Sequence, residues 1–430
     1  MMDLYTIKLE QIKRDPDQYA AFKSNMSTVV KAGPGSGKTT VLSLKIMHLL
    51  KEKIKEPRGL ACITYSNEAA KEFTNRLKTF GYQKRQNVVL DTVHSFCISE
   101  VIVPFSNLYG VAVSLPLNII TKSDKAQLFK EILEERGIDK RSLNVEAMDK
   151  ERNQQIGGIS FIETEPNDTA REVAIEYENR LRERYQVDFI EIIKCATTLI
   201  KEQEYVRRCL EAKFPWILID EYQDLGKPLH EMVLTLFHKT NIKIFAVGDP
   251  DQSIYGFQGA VPDYLLELYD TPNIMSVDLK TNYRSNQEII DAAAIALNMD
   301  DREYKAGTRL NEKAEFHFIT CEAEMDEQYQ YVVNNIIPDC LTKNIPLEEI
   351  CVLVGNGSHV KAISNVMNEA NIPHYLSKYE FLKSKMIVWM KDCASWILDN
   401  SSTSFNDLSD FWINILSSHN GVKWTPSSRH

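Results

Sequence analysis

Several things are missing from this sequence, and each absence closes off a class of protein. No apolar run approaches the ~20 residues that a membrane span needs. The N-terminus shows no basic stretch followed by an apolar one, so no secretory signal is read there. None of the eight cysteines has a partner at CxxC spacing. That leaves no metal or disulfide framework and points to reduced, mostly buried thiols in a cytoplasmic protein. An excess of positive charge is absent too, since the formal net charge is −10. A globally basic nucleic-acid binder is excluded, and any such contact must come from a local groove.

What is present is an ordinary globular composition, 43% hydrophobic and 26% charged over 430 residues, enough for two to four domains. The stretch that organises it is Ala32-Gly-Pro-Gly-Ser-Gly-Lys-Thr-Thr40. It reads as a phosphate-binding loop of the form [AG]xxxxGK[ST], with an apolar strand before it (Ser27–Val30) and a helix-like run after it (Thr39–Leu50). Gly33, Gly35 and Gly37 let the backbone curl until its N–H groups point at phosphate oxygens. The helix N-terminus adds partial positive charge. Lys38 is placed to reach the β- and γ-phosphates, and the Thr39 hydroxyl to bind Mg²⁺.

Around the loop, strands alternate with helices, the pattern of a parallel α/β sheet. Strands are expected at Leu60–Thr64, Val88–Leu90, Trp216–Asp220 and Ile244–Gly248. In such sheets, ligand-binding residues collect at the strand C-terminal ends. Tyr65, Asn67, His94 and Phe96 fall there. Phe96 serves equally well as a core aromatic, and His94 as a hydrogen-bonded structural histidine. Asp220 and Glu221 end an apolar strand and supply the other half of a nucleoside-triphosphate site. Asp220 would hold Mg²⁺ through water, and Glu221 would polarise the attacking water. Gln252, at another strand end, could read the γ-phosphate; Phe257 offers a stacking surface for a base. Tyr283 and Arg284 add a further stacking ring and a charge-stabilising finger. Upstream, Asp15-Pro16 starts a helix carrying Gln18, whose amide suits an adenine edge, although a plain surface glutamine explains it as well.

Residues 98–203 read as a helical insertion, with helices at Ser123–Arg136, Thr169–Arg184 and Phe189–Lys201. It accounts for the long gap between Lys38 and Asp220. Arg180, Arg182 and Arg184 alternate with Glu178 and Glu183, usually the mark of a solvated helix face. Beyond residue 281, strands are expected at Glu315–Thr320 and 350–354. Helices are expected at Glu322–Asn335, Val360–Ala370, Tyr379–Leu398 and Phe405–Leu416, before a polar tail.

Seven blocks taken in order resemble the superfamily 1 DNA helicases of the UvrD/Rep/PcrA type. They are Asp17-Gln18, AGPGSGKTT, ITYSNEAAKEF (63–73), TVHSF (92–96), ILIDEYQD (217–224), VGDPDQSIYGFQGA (247–260) and NYRS (282–285). Val187-Asp-Phe189, Ile350–Gly355 and Ala370–Pro373 extend the likeness across roughly residues 1–377. The resemblance implies a P-loop RecA-like domain (1–97 plus 204–280), the helical insertion (98–203), a partial second RecA-like domain (281–377) and a helical C-terminal segment (378–430). Carried over by position, it implies that Gln18 and Tyr283 hold the adenine of ATP. Gly33, Pro34, Gly35, Ser36, Gly37, Lys38, Thr39 and Thr40 would cradle the phosphates, with Thr39 and Asp220 on Mg²⁺. Lys38, Glu221, Gln252 and Arg284 would carry catalysis. Tyr65, Asn67, His94 and Phe257 would line a track for single-stranded or partly duplex DNA. An ATP-driven motor stepping 3′ to 5′ is the implied activity.

The sequence departs from that pattern in places. Gln258 stands where the family usually has Arg, and Thr40 where Arg is frequent beside the adenine. No counterpart of the family's late motifs is found, including one that carries a second arginine finger. Either the chain continues in a longer helicase, or a partner such as a nuclease covers the incomplete second domain. The latter would give an ATP-gated DNA- or partner-binding subunit with little unwinding of its own, as in phage-defence complexes.

Overall fold

The computed structural model describes residues 3–299, 303–322, 325–376, 385–398 and 408–409. Two compact units are distinguished, residues 1–315 and 316–430. The first is built on a six-stranded sheet, all parallel. Its strands are β1 (Thr28–Ala32), β2 (Ala61–Thr64), β3 (Val89–Thr92), β4 (Trp216–Ile219), β5 (Lys243–Gly248) and β6 (Met275–Leu279). Their spatial order is β3-β2-β4-β5-β1-β6. Five of the six lie where the apolar runs place them. β6 is an edge strand with an alternating, half-exposed pattern, and it escapes a search for apolar runs.

The central strands are buried on both faces, so they carry apolar residues in succession. Successive residues feed opposite cores. Ile217, Ile219, Ile244 and Ala246 point into one, with helices Phe189–Glu202, Lys227–Lys239 and Asp263–Tyr269. Trp216, Leu218, Phe245 and Val247 point into the other, with helices Pro16–Lys23, Lys38–His48 and Asn67–Thr79. Phe96 is fully buried against Phe214, so its role is that of a core aromatic. Because β4, β5 and β1 are neighbours, the segments leaving their C-terminal ends emerge side by side. All eight cysteines are free thiols. Among the described residues, no helix is long and apolar enough to cross a membrane.

The second core holds a buried cation. Lys45, on the helix after the phosphate loop, donates to the carbonyls of Phe22 and Ser24. Its ammonium sits 5.0 Å from the Trp216 ring centre. Burial, then the charges of Lys243 and Lys53, push its pKa down to about 8.

Within residues 98–203, the three expected helices form as Lys122–Arg136, Asp168–Glu183 and Phe189–Glu202. The first two, with Val145–Arg152, enclose a core of their own around Leu128, Ile132, Met148, Val173 and Tyr177. Phe189–Glu202 instead packs on the sheet. A charge hub joins the two parts. Arg152 is fully buried. Its two terminal nitrogens donate to the Asp188 oxygens at 2.6 and 2.8 Å, and its Nε donates to Glu178 at 3.0 Å. Lys125 adds bonds to Asp149 and Asp188. Burial alone would raise the Asp188 carboxyl, but Arg152 outweighs it and holds that group far below the usual carboxylate range. Asp188 also caps helix Phe189–Glu202 by accepting from the Glu191 amide. The basic cluster is paired throughout: Arg180 with Glu135 and Glu176, Arg182 with Glu178, Arg184 with Glu131.

In the second unit, helix Met325–Tyr331 runs on through Ile337–Thr342 and packs on Gly357–Glu369 around Tyr329, Val333, Ile363 and Met367. The strands expected at 315–320 and 350–354 are not formed; among the described residues, neither stretch joins a ladder. Ile350 and Val352 do rest on the helices. The opposite side chains have no cover, with Leu353 89% and Phe318 96% exposed. Apolar alternation reports a half-buried extended segment, and a strand needs a hydrogen-bonding neighbour as well. A helix Lys385–Leu398 is present. The expected helix at Phe405–Leu416 lies, apart from residues 408–409, outside the described residues, as does the polar tail.

Two outcomes are expected here. Arg152→Ala leaves several carboxylates uncompensated and should cost on the order of 3–5 kcal/mol in urea denaturation. Lys45 has a folded pKa of about 8, below the ordinary 10.5. Between those values the unfolded chain binds more protons, so stability rises with pH across that window. Thermal midpoints followed from pH 8 to 10.5 should show the wild type gaining on Lys45→Met.

Candidate nucleotide site and aromatic track

The phosphate loop leaves β1 and enters helix Lys38–His48. It holds its own shape: Ser36 Oγ donates to the Gly33 carbonyl at 2.7 Å, and Lys38 Nζ to the Ala32 carbonyl at 3.1 Å. Gly35 and Gly37 have φ of +67° and +86°, the left-handed region that favours glycine. Each loop glycine is also approached by a distant segment. A Cβ on Gly33 would lie 2.4 Å from the Tyr304 ring, one on Gly35 would lie 2.5 Å from Asn282 Oδ1, and one on Gly37 would lie 2.8 Å from Gln18 Nε2. Gln18 is buried and donates to the Ser36 carbonyl at 2.7 Å. Pro34 is exposed, and Thr39 and Thr40 are half-buried at the start of the helix.

β4 and β5 deliver the acidic side. Lys38 Nζ stands 3.7 Å from Asp249 Oδ2. Asp220 is buried, and burial followed by the neighbouring Glu221 charge raises its carboxyl to about 7, with Lys38 opposing. Asp249 is raised as well, by burial, again with Lys38 opposing. Gln223 ties the two strand ends together: its Oε1 accepts from the Asp249 amide at 2.9 Å, and its Nε2 donates to Glu221 at 2.9 Å. Gln252 donates to Asp249. Glu221 has the left-handed φ of +51°, uncommon for a residue with a side chain.

Segment 281–309 closes the remaining side. Tyr283 donates its backbone N–H to the Gly35 carbonyl at 2.9 Å and its hydroxyl to Asp15 at 2.6 Å. Asn282 Oδ1 accepts from the amides of Arg284 and Ser285, which places the exposed Arg284 beside Gly35. Lys38, Asp220, Glu221, Gln252, Tyr283, Arg284 and Gln18 thus surround one loop. The residues suit a nucleotide with a divalent cation. The loop is built of glycines that leave no room for a Cβ beside Tyr304, Asn282 and Gln18. Asp220 is a buried carboxylate that an oxygen-seeking cation would relieve, and Thr39 supplies a hydroxyl.

A second feature opens from the same strand ends. Five rings follow one another: Phe189, His94, Tyr65, Tyr255 and Phe257. Their centres are separated by 4.9, 6.3, 6.1 and 6.3 Å, the range in which aromatic rings attract one another. The inner three are half-buried, while Phe189 and Phe257 are each 56% exposed. Burial lowers the His94 pKa, with the Asp188 charge opposing. Asn67 is exposed in the first turn of helix Asn67–Thr79. Phe189 and Tyr255 lie in the runs 187–189 and 247–260, where nothing in the sequence marks them for this ring series. Tyr304 and Gln223 carry no such mark either, because only the folded chain brings them to the loop and to Asp249.

The sequence profile of the UvrD/REP helicase N-terminal domain matches residues 14–273, and that of the UvrD-like helicase C-terminal domain matches residues 277–390. Similar curated proteins include the ATP-dependent DNA helicase PcrA of Staphylococcus aureus, 27% identical over 363 residues, and that of Staphylococcus epidermidis, 28% identical over the same length. Each alignment covers 80% of this chain and 48% of the relative. The chain therefore spans about half the length of the curated relatives it matches.

Gly35→Ala tests the cradle. The left-handed φ costs an L-residue roughly 1–2 kcal/mol, and the methyl would meet Asn282 and Arg284. With ATP and Mg²⁺ the wild type should rise in thermal midpoint; the variant should start lower and show no nucleotide-dependent rise.

Proposed function

The chain belongs to the UvrD/REP helicase family, and from that premise we propose that it binds ATP with Mg²⁺ at Gly33–Thr40 and hydrolyses it to move along single-stranded DNA. One observation carries this reading: four sequence segments meet at the end of one parallel sheet. They are the phosphate loop, the Asp220–Gln223 turn, the Asp249–Gln252 turn and the 282–284 turn.

In this reading Lys38 exchanges its present bonds to Ala32 and Asp249 for phosphate oxygens. Loop amides bind the rest of the chain of phosphates, aided by the helix N-terminus. Thr39 and Asp220 hold the cation, which when bound neutralises charge on the β- and γ-phosphates. Glu221 accepts a proton from the water that attacks the γ-phosphorus, while the bond to the β-phosphate oxygen breaks and ADP leaves. Gln252 and Arg284 face the γ-phosphate, and Gln18 and Tyr283 the adenine. Tyr65, His94 and Phe257, with Asn67 beside them, take the bases of a DNA strand. Stacking tolerates any sequence, because every base has a π-face. With a net charge of −10, strand affinity rests on local contacts such as this stacking and not on overall attraction. Stepping from 3′ to 5′ is the direction we assign by family likeness.

Steady-state phosphate release with and without single-stranded DNA tests the proposal. DNA should accelerate the wild type. Glu221→Gln should lower kcat by about 10² or more while ATP still raises the thermal midpoint. Unchanged turnover in that variant would sink the assignment.

A further inference from the structure

Glu221 is the strained residue of the site, and a buried network that no part of the proposed chemistry uses is attached to its neighbour. Left-handed backbone at a non-glycine residue persists only where the surroundings over-determine it. On one side Glu221 is held by Asp220, whose Oδ1 accepts the Glu221 amide at 3.1 Å. On the other side stands Tyr222, fully buried, with its hydroxyl 2.8 Å from His230 Nδ1. His230 is itself fully buried and stacked on Tyr264, with ring centres 4.7 Å apart. With Nδ1 accepting from Tyr222, Nε2–H faces Glu267 Oε2 at 3.1 Å.

Glu267 reaches further. The same Oε2 accepts from the Ser160 hydroxyl at 2.5 Å, and Oε1 accepts from the Phe161 amide at 3.1 Å. Glu231, next to His230 in the chain, accepts the amides of Ile159 and Ser160 at 2.7 and 2.9 Å. The loop Gly158–Ile162 is therefore gripped by two buried carboxylates. The approach is so close that a Cβ on Gly158 would overlap Glu231 Oε2. This loop belongs to the 98–203 segment, which also carries Phe189, the first ring of the aromatic track. Burial alone would raise the Glu267 carboxyl; its bonds from His230, Ser160 and Phe161 outweigh that and hold it below the usual carboxylate range. A buried acceptor with every donor in place fixes positions firmly, and losing one donor leaves the others misdirected.

We propose that Tyr222, His230 and Glu267 form a positioning relay that fixes the backbone at Glu221 and ties it to the insertion loop Gly158–Ile162. None of the three touches the reacting atoms. Their contribution is to keep the Glu221 carboxylate aimed, and the loop is the outer end through which the insertion can influence turnover. The proposal rests on Glu221 acting as the base.

The test is DNA-stimulated ATP turnover, resolved into kcat and KM, alongside thermal midpoints. Tyr222→Phe keeps the ring and removes only the hydroxyl. His230→Leu fills the space without polar atoms, whereas His230→Gln can still accept from Tyr222 and donate to Glu267. Tyr222→Phe and His230→Leu should lower kcat about ten-fold or more with KM for ATP unchanged, as a slight misplacement of a reacting group does. His230→Gln should recover most of that loss. A purely space-filling histidine predicts equal behaviour of the Leu and Gln variants, and that result would overturn the relay. So would wild-type kcat in Tyr222→Phe, which remains informative if His230→Leu does not fold. Gly158→Ala carries the test to the far end: a drop in kcat without a change in KM supports the link to the insertion, and an unchanged kcat removes it. Glu221→Gln run in parallel separates the two readings. If it turns over normally, the base assignment fails; if it is inactive while Tyr222→Phe is normal, only the relay fails.

Discussion

A phosphate loop has to be free of side-chain volume on its inner face, and in this chain the outer face is under the same demand. A Cβ on Gly33, Gly35 or Gly37 would in each case meet a different stretch of sequence: Tyr304, the Asn282–Arg284 turn, and Gln18. No methyl can be added at any of them without moving one of those neighbours. The loop is thus the point at which helix Pro16–Lys23, β1 and the segment after β6 are brought to a common position. The sheet order does the rest by setting β5 next to β1 and β4 next to β5, so that Asp249 and Asp220 arrive beside Lys38.

The insertion is attached by polar links of two kinds. Inside it, Arg152 gathers Asp188, Glu178 and Asp149, orienting the helices that carry them. Towards the sheet, Glu231 and Glu267 grip the Gly158–Ile162 loop. Asn153 adds a third hold, donating to the Gln258 carbonyl at 2.6 Å while its own carbonyl accepts from the Lys227 amide. Gln258 stands where the family usually has Arg, and here it is the backbone of that residue, not its side chain, that the insertion holds. Hydrophobic burial supplies most of the stability of such a unit, but it is not directional. The charged and hydrogen-bonded contacts decide where the unit sits.

Much of this was legible in the sequence, for identifiable reasons. β1, β2, β4 and β5 are apolar on successive residues because both faces are covered, and such runs stand out. Helices Lys122–Arg136, Asp168–Glu183 and Phe189–Glu202 show their periodicity because one face of each meets a core. Lys38, Asp220, Glu221, Gln252 and Arg284 lie in compact runs whose residue types suit phosphate and cation chemistry. β6 was missed because Met-Ser-Val-Asp-Leu is half-exposed at the sheet edge. Residues 315–320 and 350–354 join no ladder among the described residues, and an apolar pattern alone cannot reveal whether a neighbouring strand exists. His230 and Glu267 form no motif, and their relation arises only when helices Lys227–Lys239 and Asp263–Tyr269 pack together. The same holds for Tyr304, whose partner Gly33 is far away in sequence.

The enclosure of the Arg152 hub has a consequence for the response to ionic strength. Counter-ions screen charges that water reaches, with a Debye length of about 8 Å at physiological salt. Arg152 and Asp188 lie beneath that layer, so the links that shape the insertion are indifferent to added salt. Binding of a polyanionic strand is the opposite case, because it displaces condensed counter-ions and weakens as salt rises. On the proposed function, salt would therefore act on the hold on a bound strand while leaving the architecture around Phe189 intact.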